Sequence, residues 1–235
     1  MFNNIVAMAL TMVIALTWFR INDFLAHKGW ISSALSRKII HIGTGPIFVL
    51  CWLLFNDSSL APYLAAIIPL GITLQQFALV GLGVIKDPSA VEAMSRTGDR
   101  QEILQGPLFY GLVFVILTIV FWRCSPVGIV ALMVLCGGDG LADVIGKRIN
   151  SVKLPWSPRK SLAGSISMLI GSFTFAVLMI YVFVWQGYFG ASITNYLISI
   201  GIIAIVTSLV ESLPFKDVDN ITVPLVSVLL GLLLF

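Results

Sequence analysis

Two aspartates, a lysine and four glycines crowd into "CGGDGLADVIGKR", residues 136–148, inside a chain that is otherwise strongly apolar. On a helix, Asp139, Asp143 and Lys147 recur every fourth residue and share one face. Counting from Val127 at a rise of ~1.5 Å per residue, Asp139 falls roughly 18 Å into an apolar segment. An ionised carboxylate at the centre of a bilayer costs about 2.5–3.5 kcal/mol on the insertion scale, and two on one face also repel each other. A divalent cation offsets both penalties, and oxygen ligands suit Mg²⁺. The plainer alternative is that each aspartate pairs with Lys147, Arg148 or another loop cation. Gly137, Gly138 and Gly140 permit a helix break or a close backbone approach.

Three further polar clusters could work with that one. "SPRKSLAGS", residues 157–165, sets Arg159, Lys160 and Ser161 just before an apolar run. A helix start there offers free N–H groups and a positive dipole end to a phosphate. The same basic residues would also serve as ordinary positive-inside anchors. "SRKIIHIGTGP" brings Arg37, Lys38 and His41 to the head of another apolar run, with His41 four residues after Arg37. "ESLPFKDVDNITVP" ends one run with Glu211 and opens the next with Asp219 and Asn220, either of which is also a good helix cap. Near "RQEILQGPLFYG", Glu102 precedes a Gly-Pro helix entry and has no decisive chemistry of its own.

The elements that must position these groups are membrane helices. The composition is 58% hydrophobic and 11% charged, and the mean hydropathy is +1.01. Apolar runs suggest eight spans, at 3–20, 39–55, 60–83, 107–122, 127–145, 162–185, 193–211 and 221–235. The expected fold is an all-α integral membrane protein, a polytopic bundle of about eight transmembrane helices forming a single domain over 1–235. The first run lacks the basic flank of a secretory signal and reads as a retained span. Trp18, Trp52, Trp122 and Trp185 fall near span ends, as an aromatic belt would place them. Cys51, Cys124 and Cys136 have no metal or disulfide spacing and read as packing residues.

Loops 20–38, 84–106, 144–161 and 212–220 hold thirteen of the fourteen basic residues; Arg123 alone falls elsewhere. These loops are therefore expected on the cytoplasmic (or stromal) face, as a multi-pass topology with both termini opposite. Ten of the eleven acids lie with them, Asp57 being the exception. Orientation does not require that acidic excess; a polar face built for chemistry does. No nucleic-acid partner is expected. "GLADVIGK" is not a P-loop, because five residues separate Gly140 from Gly146 and Arg148 follows Lys147.

Taken in order, "LSRKIIHIGTGP", "QEILQGPLFYG", "CGGDGLADVIGKR", "SPRKSLAGSISM" and "VESLPFKDVDNITVPL" resemble the phytol kinases of the polyprenol kinase family, which includes farnesol and dolichol kinases. The likeness runs from about residue 35 to 226. It implies a multi-pass lipid kinase that transfers the γ-phosphate of CTP to a prenyl alcohol dissolved in the bilayer, such as phytol. The product, phytyl phosphate, would serve isoprenoid salvage and tocopherol biosynthesis. The resemblance places Gly138, Gly140 and the acids Asp139 and Asp143 in one motif, Arg159, Lys160 and Ser161 in a second, and Asp219 and Asn220 in a third. One departure is Val218, where a second acid is expected before Asp219. On this reading Asp139, Asp143 and Asp219 hold Mg²⁺. Gly138, Gly140, Lys147, Arg159, Lys160, Ser161, Arg37, Lys38, His41 and Asn220 serve nucleotide and phosphate, and Asp139, Asp143 and Lys160 are the catalytic residues.

The acidic and basic motifs also resemble membrane cytidylyltransferases that make CDP-diacylglycerol, although Ala163 stands where that family places a glutamate. That is the alternative reading. A membrane transporter is the third, disfavoured because the acids gather at one face and no repeat is visible. The topology is open to test by single-cysteine labelling in sealed vesicles, on a background lacking the native thiols. Asp57→Cys and Lys160→Cys are expected to react from opposite sides; reaction from the same side refutes the eight-span arrangement.

Overall fold

The structure is a computed structural model and describes residues 3–88, 91, 95, 98–214 and 218–235. Arg96 and Lys216 of the charge pattern lie outside the described residues. Among the described residues, six helical stretches are long and apolar enough to cross a membrane: Asn4–His27, Ser33–Leu54, Arg100–Cys124, Pro126–Arg148, Leu162–Trp185 and Thr194–Glu211. Two shorter apolar helices, Ala61–Gln75 and Asp219–Leu234, occupy the positions of the third and eighth expected spans. The protein is thus an all-α polytopic membrane protein. Its α-helices are labelled α1 (Asn4–His27), α2 (Ser33–Cys51), α3 (Ala61–Ile72), α4 (Gly106–Phe121), α5 (Pro126–Met133), α6 (Gly140–Arg148), α7 (Leu162–Trp185), α8 (Thr194–Glu211) and α9 (Asp219–Leu234).

The chain forms two compact units. The first comprises residues 1–40 and 51–120. Asn3 caps α1 by accepting from the Ile5 N–H at 2.9 Å. The amide of Asn4 donates to Asn56 Oδ1 at 2.7 Å and Ser58 Oγ at 2.8 Å, tying the start of α1 to the segment before α3. In the same unit Arg37 Nη1 donates to the Ser95 carbonyl at 2.8 Å.

The second unit comprises residues 41–50 and 121–235 and contains the acidic motif. Its centre is the stretch Pro126–Arg148, the most enclosed of the six long apolar stretches. Pro126 and the cap Ser125 start α5, with the Val127 N–H donating to Ser125 Oγ at 3.3 Å. Every residue from Val127 to Gly138 is buried. α7 and α9 pack against this stretch, and α8 packs against α7 and α9. Arg123, expected alone on the opposite face, is fully buried with its guanidinium 4.9 Å from the Tyr188 ring centroid. Two tryptophans of the expected belt are enclosed by protein instead: Trp52 and Trp122 are buried, whereas Trp185 is exposed. Closeness to a span end in sequence does not say which way an indole points.

Helical spacing is expected through Asp139, with Gly137, Gly138 and Gly140 permitting a break; Val134–Asp139 form a π-helical turn between α5 and α6. One extra residue per turn rotates everything downstream by about 100° about the axis, so the face presented by α6 differs from that of a regular helix. The turn is built where α7 approaches it closely. A Cβ at Gly171 of α7 would lie 2.7 Å from the Gly137 carbonyl oxygen, a backbone atom that no rotamer change can move aside. Gly201 of α8 has nothing nearer than 3.8 Å. Gly171→Ala is therefore expected to destabilise the protein by about 1–3 kcal/mol through overpacking. Gly201→Ala is expected to leave stability within about 0.5 kcal/mol. Thermal unfolding in detergent distinguishes them; equal stability for both would remove the backbone contact as a constraint.

Candidate active site

Four elements of the second unit bring charge to one place. The π turn ends on Asp139, α8 ends on Glu211, and α9 begins at Asp219. One carboxylate oxygen from each lies within 4.8 Å of the others. The fourth element is a hairpin of β1 (Lys153–Leu154) and β2 (Ser157–Ser161), antiparallel with Lys153 opposite Ser161 and Leu154 opposite Ser157. It fills a stretch expected to be a loop, and it carries Lys160. The Lys160 ammonium donates to Asp219 Oδ2 at 3.0 Å and, in a shorter contact, to Glu211 Oε1. Burial of Lys160 works against its charge, but the facing carboxylates of Glu211 and Asp219 outweigh it and hold its pKa above the ordinary lysine value.

His41, the first residue of the second unit, lies with Nε2 3.4 Å from Asp139 Oδ2 and 3.2 Å from the Leu135 carbonyl oxygen. It therefore flanks both the acid and the π turn that carries it. Asp143, one turn into α6, is not in the three-acid cluster; its Oδ1 pairs with Lys147 Nζ at 2.7 Å. Lys147 is exposed, as is Arg159. Gly138 and Gly140 face protein: a Cβ at Gly138 would lie 2.1 Å from Ser172 Oγ, and one at Gly140 would lie 2.3 Å from Ile42 Cγ1. Asn220 sits in the first turn of α9 beside Asp219. Arg37 and Lys38 belong to the first unit.

The start of α7 differs from expectation. Its leading N–H groups are not free: Leu162 donates to the Val152 carbonyl at 2.9 Å. Ala163 donates to Ser151 Oγ at 3.0 Å and Gly164 to Ser161 Oγ at 3.3 Å. Ser161 is buried, caps α7, and donates to the Gly146 carbonyl at 3.3 Å. The hairpin has folded back over the helix end, which sequence position alone does not reveal.

Glu211 is the site residue that sequence reasoning leaves aside. It is buried and faces Lys160, but in sequence it is only the last residue of an apolar run. The available signal is an acid closing that run eight positions before a second acid opens the next.

The donor set fits a hard divalent cation. Three carboxylates from separate elements present oxygens within one coordination sphere's reach, two of them also bonded to Lys160.

Fold and site together define a polytopic membrane protein with an acid–lysine cluster where its apolar helices end. No family model matches the chain, and no solved structure matches it. Curated relatives do. The probable chloroplastic phytol kinase of Triticum aestivum is 40% identical over 215 residues, 91% of this chain and 71% of that protein. Probable chloroplastic phytol kinase 2 of Oryza sativa subsp. japonica is 41% identical over 231 residues, covering 97% and 75%. The chloroplastic farnesol kinase of Arabidopsis thaliana is 38% identical over 238 residues, covering 99% and 76%. The chain belongs to this family of phytol and farnesol kinases.

The Lys160 pairing generates a pH prediction. A pKa raised in the folded state contributes stability that is fully present below the unfolded lysine value of about 10.4 and is lost as pH rises through the folded one. Lys160→Met leaves Glu211 buried without its cation and is expected to cost about 3 kcal/mol at neutral pH. On the alkaline side the difference in unfolding midpoint between parent and variant should hold from pH ~8 to ~9 and narrow only above pH ~10. A gap that closes between pH ~8 and ~9 contradicts the pairing.

Proposed function

We propose that the protein is a prenol kinase that transfers the γ-phosphate of CTP to a prenyl alcohol in the bilayer, with phytol as acceptor and phytyl phosphate as product. Family membership supports the kinase reading. The observation that carries the reading to particular residues is the cluster of Asp139, Glu211 and Asp219, with Lys160 bonded to the last two. We also propose that the chain works as one polytopic domain, with its chemistry on the cytoplasmic or stromal face, as the charge distribution suggests. Formation of phytyl phosphate would place the reaction in isoprenoid salvage and tocopherol biosynthesis.

Phosphoryl transfer depends mainly on positioning and on neutralising charge along a loose transition state. Asp139, Glu211 and Asp219 would hold Mg²⁺, with Asp143 extending the acidic face one turn further. Bound there, the ion would supply charge neutralisation to the triphosphate. Lys160, Arg159 and Lys147 would hold phosphate oxygens, assisted by Arg37, Lys38, His41 and Asn220. Lys160 would turn from the carboxylates to phosphate on its flexible four-carbon stem, while the acids sit on helix ends. Ser161, Gly138 and Gly140 contribute by fixing α6, α7 and the π turn against one another. The alcohol would arrive from the side: at about 0.8 kcal/mol per CH₂, drawing a long isoprenoid wholly into water is prohibitive.

The test is turnover and product analysis with purified protein, phytol and labelled CTP. CDP and a monophosphorylated alcohol are expected; pyrophosphate with phosphatidate as acceptor would move the assignment to cytidylyl transfer. Asp139→Asn and Glu211→Gln should each lower the rate at saturating CTP on the order of a hundredfold, with folding retained. The Mg²⁺ requirement should rise in both. Full activity in either variant removes that carboxylate from the site.

A further inference from the structure

The hairpin that carries Lys160 also displays apolar side chains that neither the core nor the proposed chemistry uses. Ile149 is 53% exposed, Val152 76% and Trp156 54%. Their neighbours Leu154 and Ser157 are buried, so the arm has an inner and an outer side. Exposed Arg148 and Lys153 flank the outer apolar groups. Such a mixture of an indole, aliphatic groups and basic residues is what the headgroup–acyl boundary of a bilayer accommodates.

Hydrogen bonds fix the level at which these side chains sit. Ile149 directly follows the stretch Pro126–Arg148, its N–H still bonded to the Ile145 carbonyl at 2.9 Å. The Val152 carbonyl accepts from Leu162, the first residue of α7. The Trp156 indole N–H donates to Ser212 Oγ at 3.3 Å, and Ser212 immediately follows α8. Each exposed apolar group is thus tied to the end of a different membrane helix. The arm lies flat across three helix ends rather than standing out into water.

We propose that residues 148–156 form an interfacial arm, with Ile149, Val152 and Trp156 seated among lipid headgroups and Arg148 and Lys153 against anionic lipid phosphates. The partner is the host bilayer itself. Because Trp156 is held beside Ser212, next to Glu211, and Lys160 lies four residues further along the same hairpin, seating the arm also seats the lysine of the charge cluster. Anionic lipid then promotes turnover by holding the arm down. That consequence for turnover rests on the kinase reading; the location of the arm does not.

The experiment has two arms, both on the full-length protein in vesicles. In the first, Val152→Cys on a background without native thiols is labelled with a fluorophore in phosphatidylcholine vesicles. Quenching by headgroup-nitroxide lipid, with protection from iodide present on both sides, is expected. Iodide quenching equal to that of the free dye conjugate overturns the proposal, as does protection from both quenchers, which would mean that protein covers the patch. In the second, phosphatidylglycerol is added to the phosphatidylcholine vesicles and prenol phosphorylation is followed. Stimulation of about fivefold per basic residue is expected. Lys153→Gln and Arg148→Gln should each remove about one such factor while activity in neutral vesicles stays at the parent level. Stimulation unchanged in both variants overturns the electrostatic half. A parent protein that phosphorylates no prenol refutes the functional reading, and the quenching arm then decides the location alone.

Discussion

The organisation of the second unit depends on keeping negative charge at the ends of helices otherwise made for lipid. Glu211 is buried and Asp139 and Asp219 are partly exposed, with one oxygen of each within 4.8 Å of the others. Such a group is unstable without a cation, because desolvation and mutual repulsion add. Lys160 supplies one, donating to both Glu211 and Asp219. Everything nearby follows from delivering that ammonium. The chain leaves α6, turns through a short hairpin, and returns to begin α7 with Ser161 as its cap.

The same hairpin changes what the start of α7 can do. A helix N-terminus is an anion site only while its leading N–H groups are free. Here three of them are bonded to Val152, Ser151 and Ser161. Anion recognition in the proposed mechanism therefore falls on side-chain cations, Lys160 foremost. This is a stronger demand on residue identity than a backbone site would be: a lysine is a mobile point charge, able to serve carboxylates in one state and phosphate in another.

Close helix packing has a comparable role on the other side of the cluster. The π turn Val134–Asp139 rotates α6 relative to α5 and sets Asp139 facing His41, while Asp143 faces Lys147. Glycine at 171 lets α7 meet the Gly137 backbone at this turn, while a Cβ at 137 would lie 2.4 Å from Phe175 Cγ. π turns recur at functional sites because they aim a side chain that a regular helix would point elsewhere.

Much was legible in the sequence for plain reasons. Apolar runs long enough to span a bilayer report helices directly, since no other open structure satisfies its backbone in lipid. The unusual charge of residues 136–161 marked a candidate site because ionisable groups in such surroundings are costly without a task. The i, i+4 spacing put Asp143 and Lys147 on one face, read first as part of a metal site with pairing as the plainer alternative; the structure pairs them, because both residues sit on one regular helix. The tertiary structure decided what depends on chain reversal and on exact helix contact. Glu211 joined the cluster because α8 ends beside the hairpin, a proximity that no residue spacing encodes. Asp139 and Asp143 parted company because a π turn and two neighbouring helices set their partners. The free N–H groups expected at α7 were lost to a two-stranded fold only a few residues long. Local periodicity follows from backbone geometry and is written in the sequence. Which helix end meets which loop is settled only when the packed helices and the buried charges must be satisfied together.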